Sequence, residues 1–436
     1  MLTPESDLAP AAAAAAQAAV VCLAMGALQM GIVPVMINPL LPAEDVRDYV
    51  DDAQVTAHVT TLPDGAGGLG LLALTEETGA PRVGVELADV PLGRPMHFTS
   101  GTTGRSKGVW AGVLDERTAH AYWQDEADQW SMAADDTVLN HGPLAHSAPL
   151  RFSILAMIAG ATVVFTGTFD TVRMSEAMVD FSPTVAMAVP THLQRLLLQP
   201  GGAPPSTYRM LAHAGSSCPP DLKRAIHSWA GAEQVWEFLG STEGQFTACR
   251  GDEWEARPGT LGRSRVGRVL RIDDGSLLAP GVIWCVTPDY ARFSYFGEPH
   301  KTASAWRQLP AGHAFTVGDL GRLDADGYLY LHGRRHDLIV TGGMNVYPAE
   351  VEAALRRCPG ISDVAVYGVP DEAWGDRVCA AFVGEAEPAE VHRWCHEHLA
   401  GYRRPKELRR VESLPLTSNG KVKRDGLADW VLDNSS

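Results

Sequence analysis

The sequence lacks the cysteine spacing that structural disulfides and zinc sites require. Its cysteines are few and scattered, at Cys22, Cys218, Cys249, Cys285, Cys358, Cys379 and Cys395. An odd number of cysteines without a CxxC pair argues against a disulfide framework and against a zinc cluster. We therefore expect a protein of a reducing compartment, with a cytoplasmic location.

Basic residues are also fewer than acidic residues. The chain of 436 residues has 36 Lys and Arg against 52 Asp and Glu, which gives a formal net charge of −16. Because the sequence contains no long basic run, nucleic acid and anionic membrane surfaces are not expected partners. The composition is otherwise that of a globular protein, and the length predicts two or more domains.

No Lys or Arg precedes Arg47, although residues 9–36 are almost wholly apolar. A signal peptide needs an early positive charge, and a membrane-spanning helix usually has basic flanks. Two glutamines and a proline also interrupt the apolar run. The pattern therefore predicts a buried helix at about residues 11–30, followed by a short strand at "IVPVMI". It favours this arrangement rather than a membrane-spanning helix.

Strand-like apolar runs alternate with helical patterns through the first three quarters of the chain, as at "ATVVFTG" and "TVAMAVP". Such alternation indicates βα units and a largely parallel sheet. From about residue 262 to 330, short runs separated by turn signals indicate a small β-rich layer. We predict an α/β large domain at residues 1–335, with βα-layered subdomains plus a small β-rich subdomain, and a smaller α+β C-terminal domain at residues 336–436.

The densest run of glycine and small hydroxyl residues is "TSGTTGRSKG", from Thr99 to Gly108. Glycines let backbone N–H groups converge on an anion, and the hydroxyls and Lys107 add further donors. The order does not match the Walker pattern GxxxxGK[ST]. From composition alone, the run is either a flexible connector or a phosphate cradle.

The whole run resembles the phosphate loop of the acyl- and aryl-CoA synthetase family, the adenylate-forming group that also contains peptide-synthetase adenylation domains and firefly luciferase. Other segments resemble motifs of this family in the same order: "PLAHS" at 143, "HAGSSCPPDL" at 213, "FLGSTEG" at 238, "TVGDLGRLDADGYLYLHGRRHDLIVTGGMNVYPAEVE" at 316, "YRRPKEL" at 402 and "PLTSNGKVKR" at 415. The resemblance covers about residues 18–430.

This resemblance implies that a carboxylate attacks the α-phosphate of ATP, and that the acyl-adenylate then passes to the thiol of coenzyme A. It implies ATP, Mg²⁺ and coenzyme A as cofactors, and a mobile C-terminal domain that rotates between the two half-reactions. The residues that would contact the phosphates are Thr99, Ser100, Gly101, Thr102, Thr103, Gly104 and Lys107. The residues of the adenine-side segments are Gly215, Ser216, Leu239, Gly240, Ser241 and Thr242.

Other positions carry the remaining implied roles. Asp319 would bind the ribose hydroxyls, and Arg334 the ribose or a phosphate. Gly342 and Gly343 would line the pantetheine channel. The implied catalytic residues are Lys421, which would reach the substrate carboxylate and α-phosphate, Glu243, which would ligate Mg²⁺, and His146, which takes the histidine place beside the acyl pocket.

The chain departs from the family pattern in ways that keep alternatives open. Relatives usually have several dozen residues before this segment, so we expect a shortened member or a misplaced start. Leu239 stands where most relatives have an aromatic residue against adenine, and His336 stands at the hinge. Besides a CoA ligase, the sequence is compatible with an enzyme that loads a carrier protein and with a degenerate nucleotide-binding homologue.

The sequence does not identify the carboxylic acid substrate. The segments that should line its pocket are rich in small residues, which would suit an aromatic or medium-sized acyl group. His141, Arg151 and His213 could contact a polar substituent, but structural roles are equally compatible with the pattern. The expected partners are a small carboxylic acid and coenzyme A or a carrier protein, and the oligomeric state is open, with a homodimer as one alternative.

Overall fold

A computed structural model describes residues 4–38, 43–55, 59–60, 69–70, 86–99, 107–140, 142–199, 207–273, 280–334, 337–341, 344–371, 375–416, 422–424 and 426–434. The described chain forms two compact units. The first contains the described residues up to Leu270 together with Cys285–Phe315, and the second contains Arg271–Trp284 and Thr316–Ser436. The expected division at residues 335 and 336 stays a prediction.

The first unit combines helices with short strands. Its helices are α1 (Pro4–Gln29), α2 (Ala43–Asp52), α3 (Glu116–Trp130), α4 (Ser147–Ile158), α5 (Thr171–Phe181), α6 (Pro190–Leu197), α7 (Pro220–Ala230), α8 (Gly251–Ala256) and α9 (Pro299–Ala305). Its strands, which include parts of β13 and β14, are β1 (Val35–Met36), β2 (Val59–Thr60), β3 (Leu69–Gly70), β4 (Met96–Thr99), β5 (Lys107–Trp110), β6 (Thr137–Asn140), β7 (Thr162–Phe165), β8 (Val185–Ala188), β9 (Met210–His213), β10 (Val235–Glu237), β11 (Thr247–Arg250), β12 (Arg263–Ser264), β13 (Val269–Asp273), β14 (Gly281–Val286), β15 (Ser294–Tyr295), β16 (Trp306–Leu309) and β17 (Gly312–Phe315).

The main sheet of this unit has the order β12-β11-β10-β9-β8-β6-β7. Strands β7, β6, β8, β9 and β10 are parallel neighbours, which confirms the predicted βα organisation. Every residue of β8 and of β9 is buried. Strands covered on both faces of a sheet are buried in this way. Because β9 and β10 are parallel neighbours, their carboxyl ends lie at the same edge of the sheet.

A second sheet of the first unit has the order β1-β4-β5-β15. Strand β1 pairs with β4 in parallel, whereas β4 with β5 and β5 with β15 are antiparallel. This sheet brings Tyr295, at the end of β15, opposite Val109 of β5.

The N-terminal apolar run forms helix α1, but the expectation that this helix is buried was only partly correct. Val21, Ala24 and Leu28 are buried, whereas Leu23 is 40% exposed. These buried positions recur at helical spacing, so the helix covers the core with one face only. No helix among the described residues is both long enough and apolar enough to cross a membrane.

Local sequence fixes the helix ends that border the main sheet. The side chain of Asp115 accepts a hydrogen bond from the Thr118 backbone N–H at the start of α3. Asp170 does the same for Val172 and Arg173 at the start of α5. Such N-caps pair donors that the first helical turn leaves free.

The second unit is α+β. Besides the start of β14, its strands are β18 (Asp319–Leu323), β19 (Leu329–Arg334), β20 (Ile339–Thr341), β21 (Met344–Val346), β22 (Ile361–Asp371), β23 (Gly375–Gly384) and β24 (Glu407–Arg410). Its helices are α10 (Pro348–Leu355), α11 (Pro388–His398) and α12 (Leu427–Asn434). Strands β21, β20, β23 and β22 form one sheet, with β24 parallel to β23.

A compact core holds this α+β sheet against its helices. Val351 and Leu355 of α10 pack with Val364, Val366 and other buried residues of the sheet. The C-terminal part of the chain is therefore α+β, as the sequence predicted.

Candidate active site

Strands β4 and β5 flank the glycine-rich run and pair Thr99 with Lys107. Residues 100–106 lie outside the described residues, so the phosphate-binding roles of Ser100, Gly101, Thr102, Thr103 and Gly104 stay predictions. The Lys107 ammonium Nζ lies 4.6 Å from the centre of the Tyr295 ring. Burial lowers the pKa of Lys107, and the Glu243 carboxylate opposes this effect.

The chain after β10 closes into a turn that carries the predicted nucleotide residues. The Phe246 N–H donates to the Leu239 carbonyl oxygen at 2.8 Å, and the Ser241 N–H donates to that of Gly244 at 2.9 Å. A Cβ atom on Gly244 would lie 2.7 Å from the Phe315 ring, so only glycine fits there. The structure thus places five predicted site residues in one turn: Leu239, Gly240, Ser241, Thr242 and Glu243.

Glu243 is buried, with 6% of its surface exposed, rather than a solvated turn carboxylate. The Tyr295 hydroxyl donates a hydrogen bond to its Oε1 atom at 2.8 Å. Burial raises the pKa of Tyr295, and the nearby Glu243 carboxylate raises it further, so the phenol stays protonated and remains a donor. A carboxylate oriented in this way fits a hard oxygen ligand for Mg²⁺.

Arg94 anchors the backbone of the same turn. Its Nη1 atom donates to the Thr242 carbonyl oxygen at 3.3 Å, and its Nη2 atom donates to that of Glu243 at 3.0 Å. Burial lowers the pKa of Arg94. Sequence reasoning missed both Arg94 and Tyr295, because no local pattern marks them. The only local signal for Arg94 is a single charge just before the apolar start of β4.

Removing the Tyr295 hydroxyl should weaken the metal site without unfolding it. In Tyr295→Phe, the Glu243 carboxylate loses the hydrogen bond that orients it, so we expect the Mg²⁺ concentration for half-maximal adenylation to rise roughly 3- to 10-fold. A Mg²⁺ titration of pyrophosphate release measures this. The matched control is Tyr208→Phe, because the buried Tyr208 hydroxyl has no hydrogen-bond partner among the described residues. Equal Mg²⁺ dependence in both variants would contradict the assignment.

The other adenine-side segment follows β9. Gly215 has a φ of 96°, a left-handed conformation that favours glycine, and both Gly215 and Ser216 are exposed as a nucleotide-binding turn requires. His213, just before this turn, is 0% exposed, and neither ring nitrogen has a partner among the described residues. Burial lowers its pKa to about 3, with Lys223 and His227 as further causes.

The buried neutral ring of His213 makes an acid-sensitive contribution to stability. Because its folded-state pKa of about 3 lies below the usual value of 6.5, this contribution is complete above pH 6.5 and is lost as the pH falls towards 3. Each pH unit below 6.5 should cost about 1.4 kcal/mol of unfolding free energy.

We therefore expect His213→Leu to flatten the fall in Tm between pH 7 and pH 5, measured by calorimetry. The control is His120→Leu, at an exposed histidine of α3. Parallel Tm profiles for wild type and His213→Leu would refute the role of this ring.

His146 is the N-cap residue of α4, where its carbonyl oxygen accepts a hydrogen bond from the Leu150 N–H at 3.4 Å. Its side chain is partly buried, and His141 lies outside the described residues. Arg151 follows one turn later, and its Nε atom lies 3.3 Å from Oε2 of Glu126. Glu126 also accepts a 2.6 Å hydrogen bond from Arg265, so helices α3 and α4 share a buried ionic network.

The remaining predicted residues lie in the second unit. Asp319 is buried, with 7% exposure, and pairs in register with Arg334 between the antiparallel strands β18 and β19. This pairing brings the two backbones together. The Arg334 side chain, Gly342, Gly343 and Lys421 lie outside the described residues, so their roles stay predictions.

Comparisons with known proteins agree with this arrangement. Residues 95–292 match the family model described as AMP-binding enzyme, and residues 350–421 match the AMP-binding enzyme C-terminal domain. The chain is 30% identical over 348 residues to an uncharacterized acyl-CoA ligase, YhfT of Bacillus subtilis, and the match covers 78% of this chain and 69% of that protein.

Solved structures show the same likeness. ATP-bound MatB from Rhodopseudomonas palustris superposes with a TM-score of 0.82 at 27% identity, over 94% of this chain and 86% of that one. O-succinylbenzoate coenzyme A synthetase from Bacillus subtilis, in complex with ATP and magnesium ion, gives a TM-score of 0.82 at 25% identity, over 92% and 85%. The chain therefore belongs to the AMP-binding enzyme family, the adenylate-forming enzymes that include the acyl-CoA ligases.

Proposed function

We propose that this protein is an AMP-forming carboxylate–CoA ligase. It activates a small carboxylic acid as an acyl-adenylate with release of pyrophosphate, and then transfers the acyl group to coenzyme A with release of AMP. The observation that carries the proposal is the buried Glu243 carboxylate, held by Tyr295 beside Lys107 in a turn anchored by Arg94.

The first half-reaction joins two anions, the acid and ATP, so its barrier is largely electrostatic. Lys107 and the backbone N–H groups of the glycine-rich run hold the β- and γ-phosphates. The 239–242 turn lies against the adenine, and the Asp319 carboxylate accepts hydrogen bonds from the ribose hydroxyls. Glu243 would hold Mg²⁺, which when bound supplies positive charge that offsets the phosphate charge. Lys421 supplies the second fixed cation, at the carboxylate and the α-phosphate.

The second half-reaction needs no cysteine of the enzyme, because the attacking thiol belongs to coenzyme A. The cysteines agree with this division of roles. All seven are unpaired, and six are buried. Burial raises the thiol pKa to about 12 at Cys218, Cys249 and Cys285, which disfavours a reactive thiolate. The free thiols also support a cytoplasmic location for the protein.

The C-terminal domain from residue 336 onwards rotates between the two half-reactions in this proposal. Lys421 leaves the site after adenylation, and Gly342 and Gly343 then line the channel of the pantetheine arm. The family models support a separate C-terminal domain, because the second of them begins only at residue 350.

Three measurements on one sample test the proposed function. The protein is incubated with ATP, Mg²⁺ and a panel of carboxylic acids, while pyrophosphate is followed and the acyl-adenylate is trapped with hydroxylamine. Coenzyme A or a holo carrier protein is then added, and the thioester is identified by mass. Pyrophosphate release followed by acyl-CoA is the expected result. Transfer of the acyl group only to the carrier protein would mean that the carrier protein, and not coenzyme A, is the acceptor. Absence of pyrophosphate release with every acid would reject the proposal that the protein is an enzyme of this kind.

A further inference from the structure

We propose that the acid activated by this protein carries a hydroxyl group, and that a buried cavity between β4 and α4 binds this hydroxyl through His97 and Arg151. The inference rests on the proposed function, because it names the substrate class of that site. The cavity lies within the first unit. Its walls include Ser147 and Thr242, which belong to the two segments that the sequence places around the acyl group and the nucleotide.

His97 supplies a hydrogen-bond acceptor. Its Nδ1 atom lies 3.3 Å from the Pro95 carbonyl oxygen, which can only accept, so Nδ1 carries the hydrogen. Burial lowers the pKa of His97 to about 3, so the ring is neutral and has a single N–H. Nε2 therefore presents a lone pair. His97 is 4% exposed and lines the cavity, and Nε2 has no partner among the described residues.

Arg151 supplies the donors. Its Nε atom lies close to Oε2 of Glu126, but neither atom has a hydrogen-bond partner among the described residues. Glu126 is instead engaged by Arg265. The Arg151 guanidinium therefore keeps N–H groups for a ligand in the cavity that it lines. Arg94 also lines the cavity, but its Nη1 and Nη2 atoms each donate to a carbonyl oxygen of the 239–243 turn.

Size and surroundings select one polar atom. The cavity has a volume of about 10 Å³, which is enough for about one water-sized group. The other walls include the apolar side chains of Leu150, Ile154 and Trp123. The cavity thus offers the His97 acceptor and the Arg151 donors to a single small atom, beside the polar side chains of Arg94, Ser147 and Thr242.

A hydroxyl satisfies both sides of this cavity. Its hydrogen can be donated to Nε2 of His97, and its oxygen can accept from the Arg151 guanidinium. A carboxylate or sulfonate lacks the hydrogen and would leave Nε2 of His97 buried and unpaired. An unsubstituted acid supplies neither hydrogen bond, so it gains less binding energy at this cavity than its hydroxylated counterpart.

The test compares acids that differ by one hydroxyl. Benzoate is compared with 2-, 3- and 4-hydroxybenzoate, and hexanoate with 6-hydroxyhexanoate, by kcat/KM for pyrophosphate release. The sulfamoyl-adenosine analogues of the same acids report affinity by calorimetry without turnover. We expect a hydroxylated acid in at least one series to exceed its parent by about 10-fold or more in both measurements.

Variants assign the preference to the cavity. His97→Leu should abolish the hydroxyl preference, and His97→Gln, which keeps an acceptor oxygen, should retain part of it. The control is His192→Leu, at a histidine that stacks on Phe169 of the first unit and does not line the cavity.

The outcomes separate this inference from the proposed function. Activation of the parent acids as fast as of every hydroxylated acid would reject the hydroxyl site while the ligase stands. Absence of pyrophosphate with every acid would reject the ligase, and the analogue affinities would then still decide the hydroxyl site. A preference that survives in His97→Leu would also overturn the assignment.

Discussion

Replacing Lys421 by alanine should lower the rate of acyl-adenylate formation by about 100- to 1000-fold, the effect that loss of one fixed charge-stabilising group has in other enzymes. The reason is that the carboxylate and the α-phosphate repel each other until a cation bridges them. Thioester formation from a preformed acyl-adenylate should change little, because in the proposed function Lys421 leaves the site before that step. Single-turnover measurements of each half-reaction separate the two effects.

The neighbouring lysine provides the control for this experiment. Lys423 is exposed, and Lys423→Ala removes the same charge two residues further along the chain. Its adenylation rate should stay close to that of the wild type. Equal losses in the two variants would contradict a specific role of Lys421 in adenylation. A Lys421→Ala variant that is slow in both half-reactions would contradict a role confined to the adenylation step.

Changing Glu243 to glutamine should lower adenylation by about 100-fold and shift the Mg²⁺ requirement upward, because an amide is a far poorer ligand for a hard cation than a carboxylate. The substitution keeps the shape of the side chain, and the glutamine oxygen can still accept the hydrogen bond from Tyr295. The fold should therefore persist. A Mg²⁺ titration, with ATP affinity measured in parallel by calorimetry, distinguishes loss of the metal from loss of the nucleotide.

Glu233→Gln is the matched control, since Glu233 is exposed and precedes the same strand, β10. The Tyr295→Phe variant should lie between this control and Glu243→Gln, because it disturbs the orientation of the carboxylate but keeps its charge. If Glu243→Gln kept wild-type activity and Mg²⁺ dependence, the metal-ligand role of Glu243 would have to be abandoned.

Much of the fold is readable from the sequence, because its signals are local. The strands at residues 162–165 and 185–188 follow from short apolar runs, and the parallel pairing follows from the helices between them. By contrast, the one-sided burial of α1 did not follow, since an alanine-rich run has nearly the same hydropathy all round and does not show which face packs.

The sequence by itself determined the family, the reaction class and the candidate residues, because each motif is a short stretch whose chemistry does not depend on distant neighbours. Tertiary structure alone decided what surrounds those residues. Tyr295 reaches Glu243 across 52 positions, and Arg94 reaches the same turn across 149. The cavity likewise brings His97 of one sheet to Arg151 of a later helix. Contacts of this kind arise when sheets and helices pack, so the orientation of the Glu243 carboxylate and the cavity between β4 and α4 become visible only in the folded chain.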